Sequence, residues 1–161
     1  MSDIFEKFRM DGKTAVITGG AGLLGRQFCR TLAEAGAYVL CADVDGSAAG
    51  KTAGEIAAAG YHASGCQVDV TDPVSVCKMV DKALELTSRL DVLVCSAALD
   101  PKFDPAGEGK HSSAFEEFPL SAWQQALDVN LTGMFLCAQQ AVRPMRLQGA
   151  GAIILICSTY G

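Results

Sequence analysis

The stretch TGGAGLLGRQ, residues 18–27, stands between an apolar run, TAVI at 14–17, and a segment whose apolar residues recur at helical spacing. Residues 20–25 spell G-A-G-L-L-G, a G-x-G-x-x-G. The motif alone is weak, but a strand just before it and a helix just after it form the setting in which it holds a dinucleotide. Glycine lets the backbone turn tightly and approach a pyrophosphate, while the free N–H groups and positive end of the following helix supply the anion site. The competing reading is a tight strand-to-helix turn with no ligand.

Outward from this loop, short runs rich in Val, Ile and Leu alternate with longer segments of helical period. Residues 14–19 (TAVITG), 38–43 (YVLCAD), 62–70 (HASGCQVDV, the weakest), 91–98 (DVLVCSAA) and 152–158 (AIILICS) read as strands. Leu24, Phe28, Leu32 and Ala35 recur at three and four residues, as do Val76, Val80 and Leu84 after the helix-start signal Thr71-Asp72-Pro73. A further helix runs from about Ser121 through Trp123, Leu127, Leu131 and Leu136 towards Pro144. This alternation predicts parallel pairing, right-handed crossovers and helices on both faces. The expected fold class is α/β, a doubly wound parallel sheet of about five strands, with residues 1–161 as one domain. Asp100 to Pro119 carries three prolines and two glycines and no period. It follows a strand's carboxyl end, where such sheets bind ligands, so it reads either as a substrate-side loop or as a solvated connection.

Composition narrows the ligand. Half of the residues are hydrophobic, 19% are charged, and no apolar run approaches the roughly 20 residues that span a bilayer. The amino terminus, MSDIFEKFRMDGK, lacks a continuous apolar segment and a small-residue cleavage site, so a cytoplasmic location is expected. Seven cysteines lie far apart with no C-x-x-C pair, and read as reduced core residues rather than a disulfide or metal framework. A net charge of −5 without a Lys/Arg cluster argues against nucleic acid or an anionic membrane as partner. A small molecule is the expected ligand.

Asp43 stands 18 residues after Gly25 at the end of the second strand, near the roughly 20-residue offset of the carboxylate that binds an adenosine ribose. A carboxylate there accepts from the 2′- and 3′-hydroxyls and repels a 2′-phosphate, favouring NAD over NADP. Asp45 is the alternative acceptor, and Asp43 could also be an ordinary strand-end cap.

T-G-G-A-G-L-L-G, Asp43, D-V at 69–70, D-V-L-V at 91–94, V-N-L-T-G at 129–133 and I-L-I-C-S-T-Y-G at 154–161 follow one another in an order that resembles the short-chain dehydrogenase/reductase family. The resemblance runs from about Met10 to Gly161. Phe118, Trp123 and Asn130 follow the F…W…VN pattern of its compact single-domain branch. It implies a Rossmann-like fold, a nicotinamide cofactor, an alcohol or carbonyl substrate and a homo-oligomer. The T-G-x-x-x-G-x-G of that branch would place a glycine at 23, where leucine stands; the T-G-x-x-G-x-x-G of the larger branch places glycines at 19, 22 and 25, all present. The resemblance thus assigns the phosphate turn to Gly19, Gly22 and Gly25, with Gly20 permissive. Leu24 would offer backbone contact to the pyrophosphate while its side chain packs inward. Asp69 would accept from the adenine amino group and Val70 flank the ring. The family's N-N-A-G appears as Cys95-Ser96-Ala97-Ala98, whose backbone at Cys95 and Ala97 would line the ribose. Its two bracing asparagine amides are absent, which predicts a loop held less firmly.

Hydride transfer at a carbonyl needs a proton donor and acceptor on the substrate oxygen; in the family this is a tyrosine with a lysine four residues later. By the same resemblance Ser158 would hold that oxygen, and Asn130, in the preceding long helix, would orient the lysine through water. As plain structural residues, Asn130 would satisfy a neighbouring carbonyl and Ser158 would close a strand end. Tyr160 has no lysine after it, and Tyr38 and Tyr61 have Ala42 and Gly65 four residues on. The sequence therefore reads as the first part of such a dehydrogenase, expected to be inactive as given, with AIILICS an exposed sheet edge prone to self-association. A non-catalytic nucleotide-binding module and an inert fragment are the alternatives.

Overall fold

The computed structural model describes residues 4–99 and 115–157. Five parallel strands, β1 (Thr14–Thr18), β2 (Tyr38–Asp43), β3 (Ala63–Gln67), β4 (Val92–Cys95) and β5 (Ala152–Leu155), form one sheet in the order β3-β2-β1-β4-β5. β1 is central, pairing Thr14–Thr18 with Tyr38–Ala42 on one side and Ala15–Thr18 with Val92–Cys95 on the other. The chain reverses its direction of travel across the sheet between β3 and β4, so the crevice beyond the carboxyl ends of β1 and β4 is the place where such sheets take ligands.

Strand alternation builds two cores. Val16, Leu40, Leu93 and Cys95 face helices α3 (Pro73–Thr87) and α5 (Gly133–Gln148) with Val76, Met79, Cys137 and Ala141. Ala15, Ile17, Val39, Cys41 and Val94 face helices α1 (Leu23–Glu34) and α2 (Gly46–Ala58) with Cys29, Ala33, Ala53 and Ile56. All seven cysteines are free; five are buried, Cys77 is half-buried and Cys157 is exposed. Among the described residues no helix is long and apolar enough to cross a membrane.

Four elements differ from expectation. α2 has no counterpart in the apolar pattern, because its buried face is Ala49, Thr52, Ala53 and Ile56, too small for contrast with its surroundings. α1 is turned about one residue from the predicted stripe: Gly25, Cys29 and Ala33 are buried, Phe28 and Leu32 flank them, and Leu24 is 55% exposed. The long final helix is divided, with α4 (Leu120–Leu127) and α5 joined through a π-helical turn at Asp128–Thr132. α5 continues past Pro144, which lies in the buried stripe with Cys137, Ala141 and Met145. The 62–70 strand is shorter than expected, and Val68–Val70 leave the sheet. β5 lies at the edge of the described sheet, with Ile154 and Leu155 each 47% exposed.

At the opposite end of the sheet, buried Asp91 accepts from Thr14 N–H (2.9 Å) and from the Arg89 guanidinium (2.6 and 2.7 Å), with Lys13 at 3.5 Å. Burial pushes its pKa up, but Arg89, the Thr14 N–H and Lys13 outweigh burial and hold it below the usual carboxylate range. Folding therefore favours the ionised form. Its stabilisation is complete above the unfolded value of about 3.9 and is lost as pH falls through the lower folded value. Asp91→Ala leaves the Thr14 N–H buried and unpaired and should cost about 2 kcal/mol in urea unfolding at pH 7. The deficit should shrink below pH 4; an equal deficit at pH 3 and pH 7 would contradict this.

Candidate functional site

The glycine loop is a backbone device held at both ends. Gly19 has φ +66°, a conformation that glycine adopts without penalty, and a Cβ there would stand 2.8 Å from the Ala97 backbone. Gly22 N–H closes the turn on Gly19 O at 2.9 Å. Gly25, the first buried residue of α1, lies so close that a Cβ would be 2.0 Å from Gly19 O. Gly20, expected to be merely permissive, also packs tightly: its N–H donates to Ala42 O, and a Cβ would be 3.1 Å from Ala42 N. Gly22 is the helix N-cap, with φ −73° and ψ 174°, and no side chain caps α1. The first N–H groups of α1 are thus left for an anion.

Asp43, expected at the ribose from its offset, and Asp45, its alternative, differ in their partners. Asp45 caps α2, accepting from Ser47 and Ala48 N–H at 3.0 Å each. Asp43 accepts from Ala21 N–H at 3.0 Å and Asp45 N–H at 3.1 Å, which fixes its carboxylate beside the glycine turn. At the end of β3, Asp69 Oδ1 accepts from Thr71 N–H and Oγ1 at 2.9 and 2.7 Å. Those bonds outweigh burial and hold its carboxyl below the usual range, so it is an anionic acceptor.

The loop after β4 is braced without the two asparagines. Buried Thr18 accepts from Ser96 and Ala97 N–H through Oγ1 at 3.2 and 3.3 Å. Asn130 clamps Leu99 with both ends of its amide, Oδ1 accepting from the N–H at 2.7 Å and Nδ2 donating to the carbonyl at 2.9 Å. The π turn places Asn130 for this contact, 31 residues from Leu99. Gln148 makes the same two-bond clamp on Leu90, at 2.9 and 2.9 Å, just before β4.

These loops enclose a cavity of about 660 Å³. Its lining includes Gly19 and Gly22 after β1, Asp43 and Val44 after β2, Val68–Thr71 after β3, and Ser96–Leu99 after β4. Ser121, Gln124, Gln125, Asp128 and Val129 complete it. Of the residues singled out from sequence, Gly19, Gly22, Asp43, Asp69, Val70 and Ala97 meet here. Gly25 supports the turn from beneath. The Cys95 side chain is buried in the core rather than lining the cavity, so only its backbone faces the loop. Leu24 does not pack inward; small residues occupy the α1 face nearest the sheet because the helix start approaches Gly19 too closely for a larger one. Ser158 and residues 100–114 lie outside the described residues. Sequence reasoning missed Thr18, Leu99 and the polar face of α4. The α4 face was visible as polar residues at 121, 124, 125 and 128, the complement of the apolar stripe.

A model of the short chain dehydrogenase family matches residues 13–161. The chain belongs to that family. Among curated relatives, it is 35% identical over 150 residues to a cis-4-hydroxycyclohexanecarboxylate dehydrogenase of Sinomonas cyclohexanicum, covering 92% of this chain and 56% of the relative. A solved short-chain type dehydrogenase/reductase from Mycobacterium marinum is 33% identical and superposes with a TM-score of 0.83, covering 94% of this chain and 58% of the other. A 7α-hydroxysteroid dehydrogenase solved with NADH and 7-oxo glycochenodeoxycholic acid is 29% identical, with a TM-score of 0.85 over 98% of this chain and 57% of the other. This short-chain dehydrogenase chain thus spans about half the length of the relatives it matches. Its sheet is the Rossmann-like one the motif order implied.

Proposed function

We propose that this chain binds NAD in the cavity at the strand ends and belongs to an oxidoreductase of alcohol or carbonyl substrates. The single observation that carries the nucleotide reading is Asp43, held by two backbone N–H groups beside a glycine turn whose helix N-terminus has no side-chain cap. The residues fit such a cofactor: the N-terminus of α1 for the pyrophosphate, Asp43 for the ribose hydroxyls, Val70 and Asp69 for adenine, and the Ser96–Leu99 backbone for the second ribose. A nicotinamide cofactor supplies the hydride acceptor or donor when bound.

Asn130 acts by position. Its amide is committed to Leu99, so its part is to fix the β4 loop against the cavity. We assign Ser158 to the substrate oxygen by its place in C-S-T-Y-G. Tyr38 and Tyr61 have Ala42 and Gly65 four residues on, and we assign the substrate proton to neither. The small-molecule substrate is an alcohol or carbonyl compound, as for the relatives.

Asp43 sets the choice of dinucleotide. Calorimetry should show the parent binding NAD more tightly than NADP, and Asp43→Ala should narrow that preference by about 10- to 100-fold, the loss of a charged hydrogen bond worth roughly 1.5–3 kcal/mol. Equal affinities in the parent would remove Asp43 from the ribose.

A further inference from the structure

We propose that Gln125 reads the adenine edge of the dinucleotide, a specificity contact that rests on the nucleotide reading of the cavity given above. Ser121, Gln124, Gln125 and Asp128, spaced i, i+3, i+4 and i+7, form one face of α4 and its π continuation, and all four line the cavity that also holds Val68–Thr71. This face carries one carboxylate and no cation, so it is a poor wall for a phosphate. Its hydroxyl and amides suit a neutral heterocycle that both donates and accepts hydrogen bonds. Gln124 is already committed, its Nε2 donating to Asp128 Oδ1 at 3.0 Å. Gln125 has no side-chain partner among the described residues.

The neighbouring lining supplies the rest of a purine site. Val129, one helical turn from Gln125, and Val70 are apolar walls of the same cavity, suited to the faces of a ring. The adenine amino group has two hydrogens, and Asp69 has one carboxylate oxygen left beyond its bonds to Thr71. One hydrogen assigned to Asp69 leaves the second in need of an acceptor. A glutamine amide meets that hydrogen and N7 together, Oε1 accepting and Nε2 donating, which is how amide side chains pair with adenine.

The test is calorimetric titration of the 161-residue protein with NAD and with nicotinamide hypoxanthine dinucleotide, in which an oxo group replaces the amino group. The parent should prefer NAD by at least about tenfold, and Gln125→Leu should reduce that ratio by about tenfold, one bidentate amide–adenine contact. Gln125→Glu, which accepts from the amino group but cannot donate to N7, should fall between them. Gln125 is exposed, so both variants should melt with the parent. An unchanged ratio in Gln125→Leu, or an equal loss of both dinucleotides, overturns the inference while leaving the cavity as a nucleotide site. Failure of the parent to bind either dinucleotide overturns the site itself, and this contact with it.

Discussion

Gly25→Ala is expected to destabilise the protein by about 3 kcal/mol, the upper part of the range for forcing extra volume into a packed interior. The new methyl group would stand 2.0 Å from Gly19 O and 2.9 Å from Gly20 Cα, and both neighbours are backbone that no rotamer change can move aside. Either α1 retreats from the sheet, losing the packing of Cys29 and Ala33 against β1 and β2, or the turn at Gly19 opens. Urea unfolding of parent and variant gives the difference, with an unchanged slope if the denatured state is unaltered. A loss below about 1 kcal/mol would show that the turn relaxes cheaply and that the close approach is not what requires glycine there.

Gly22→Val should destabilise the fold less than Gly25→Ala and remove the ligand effect. The backbone at Gly22 is extended, so a β-branched residue suits its dihedral angles, and a Cβ would make one tight contact, with Gly19 O at 3.2 Å, that the turn must yield to by a few tenths of an ångström. The positive φ of the turn belongs to Gly19 instead. Gly22 does line the cavity, and an isopropyl group there obstructs the approach of a pyrophosphate to the α1 N-terminus. NAD at 100 times its dissociation constant should stabilise the parent by about 2.7 kcal/mol and the variant not at all. Thermal melts with and without NAD make the comparison. An equal shift in both would place the phosphates elsewhere; no cooperative transition in either would support the inert-fragment reading.

The strands were legible because continuous Val, Ile and Leu runs bounded by Gly, Asp or Ser have few readings other than buried parallel strands. α2 was not, since alanine and glycine give no amphipathic contrast and its three glycines imitate a loop. The α1 stripe was read one residue out of phase because large apolar residues mark a helix's inward face in sequence, whereas here a backbone close approach selects Gly25, Cys29 and Ala33. At the site, residue types near the glycine motif were legible and long-range partners were not. Nothing in the sequence ties Asn130 to Leu99 or Thr18 to Ser96, because each pairing exists only once β1 and β4 are adjacent and the π turn is formed. Asp43 was legible from its offset to the glycine motif, whereas the capping of α2 by Asp45 was not.

The most direct test is an amide-resolved NMR titration of the 161-residue protein with NAD. Shifts are expected at Gly19–Gly22, Asp43–Val44, Val68–Thr71 and Ser96–Leu99, the four loops at the strand carboxyl ends, with smaller effects at Gln124–Val129. Shifts confined to the separate cavity beside Phe8, Arg9 and Gly36, or none at NAD concentrations that saturate family relatives, would contradict this expectation.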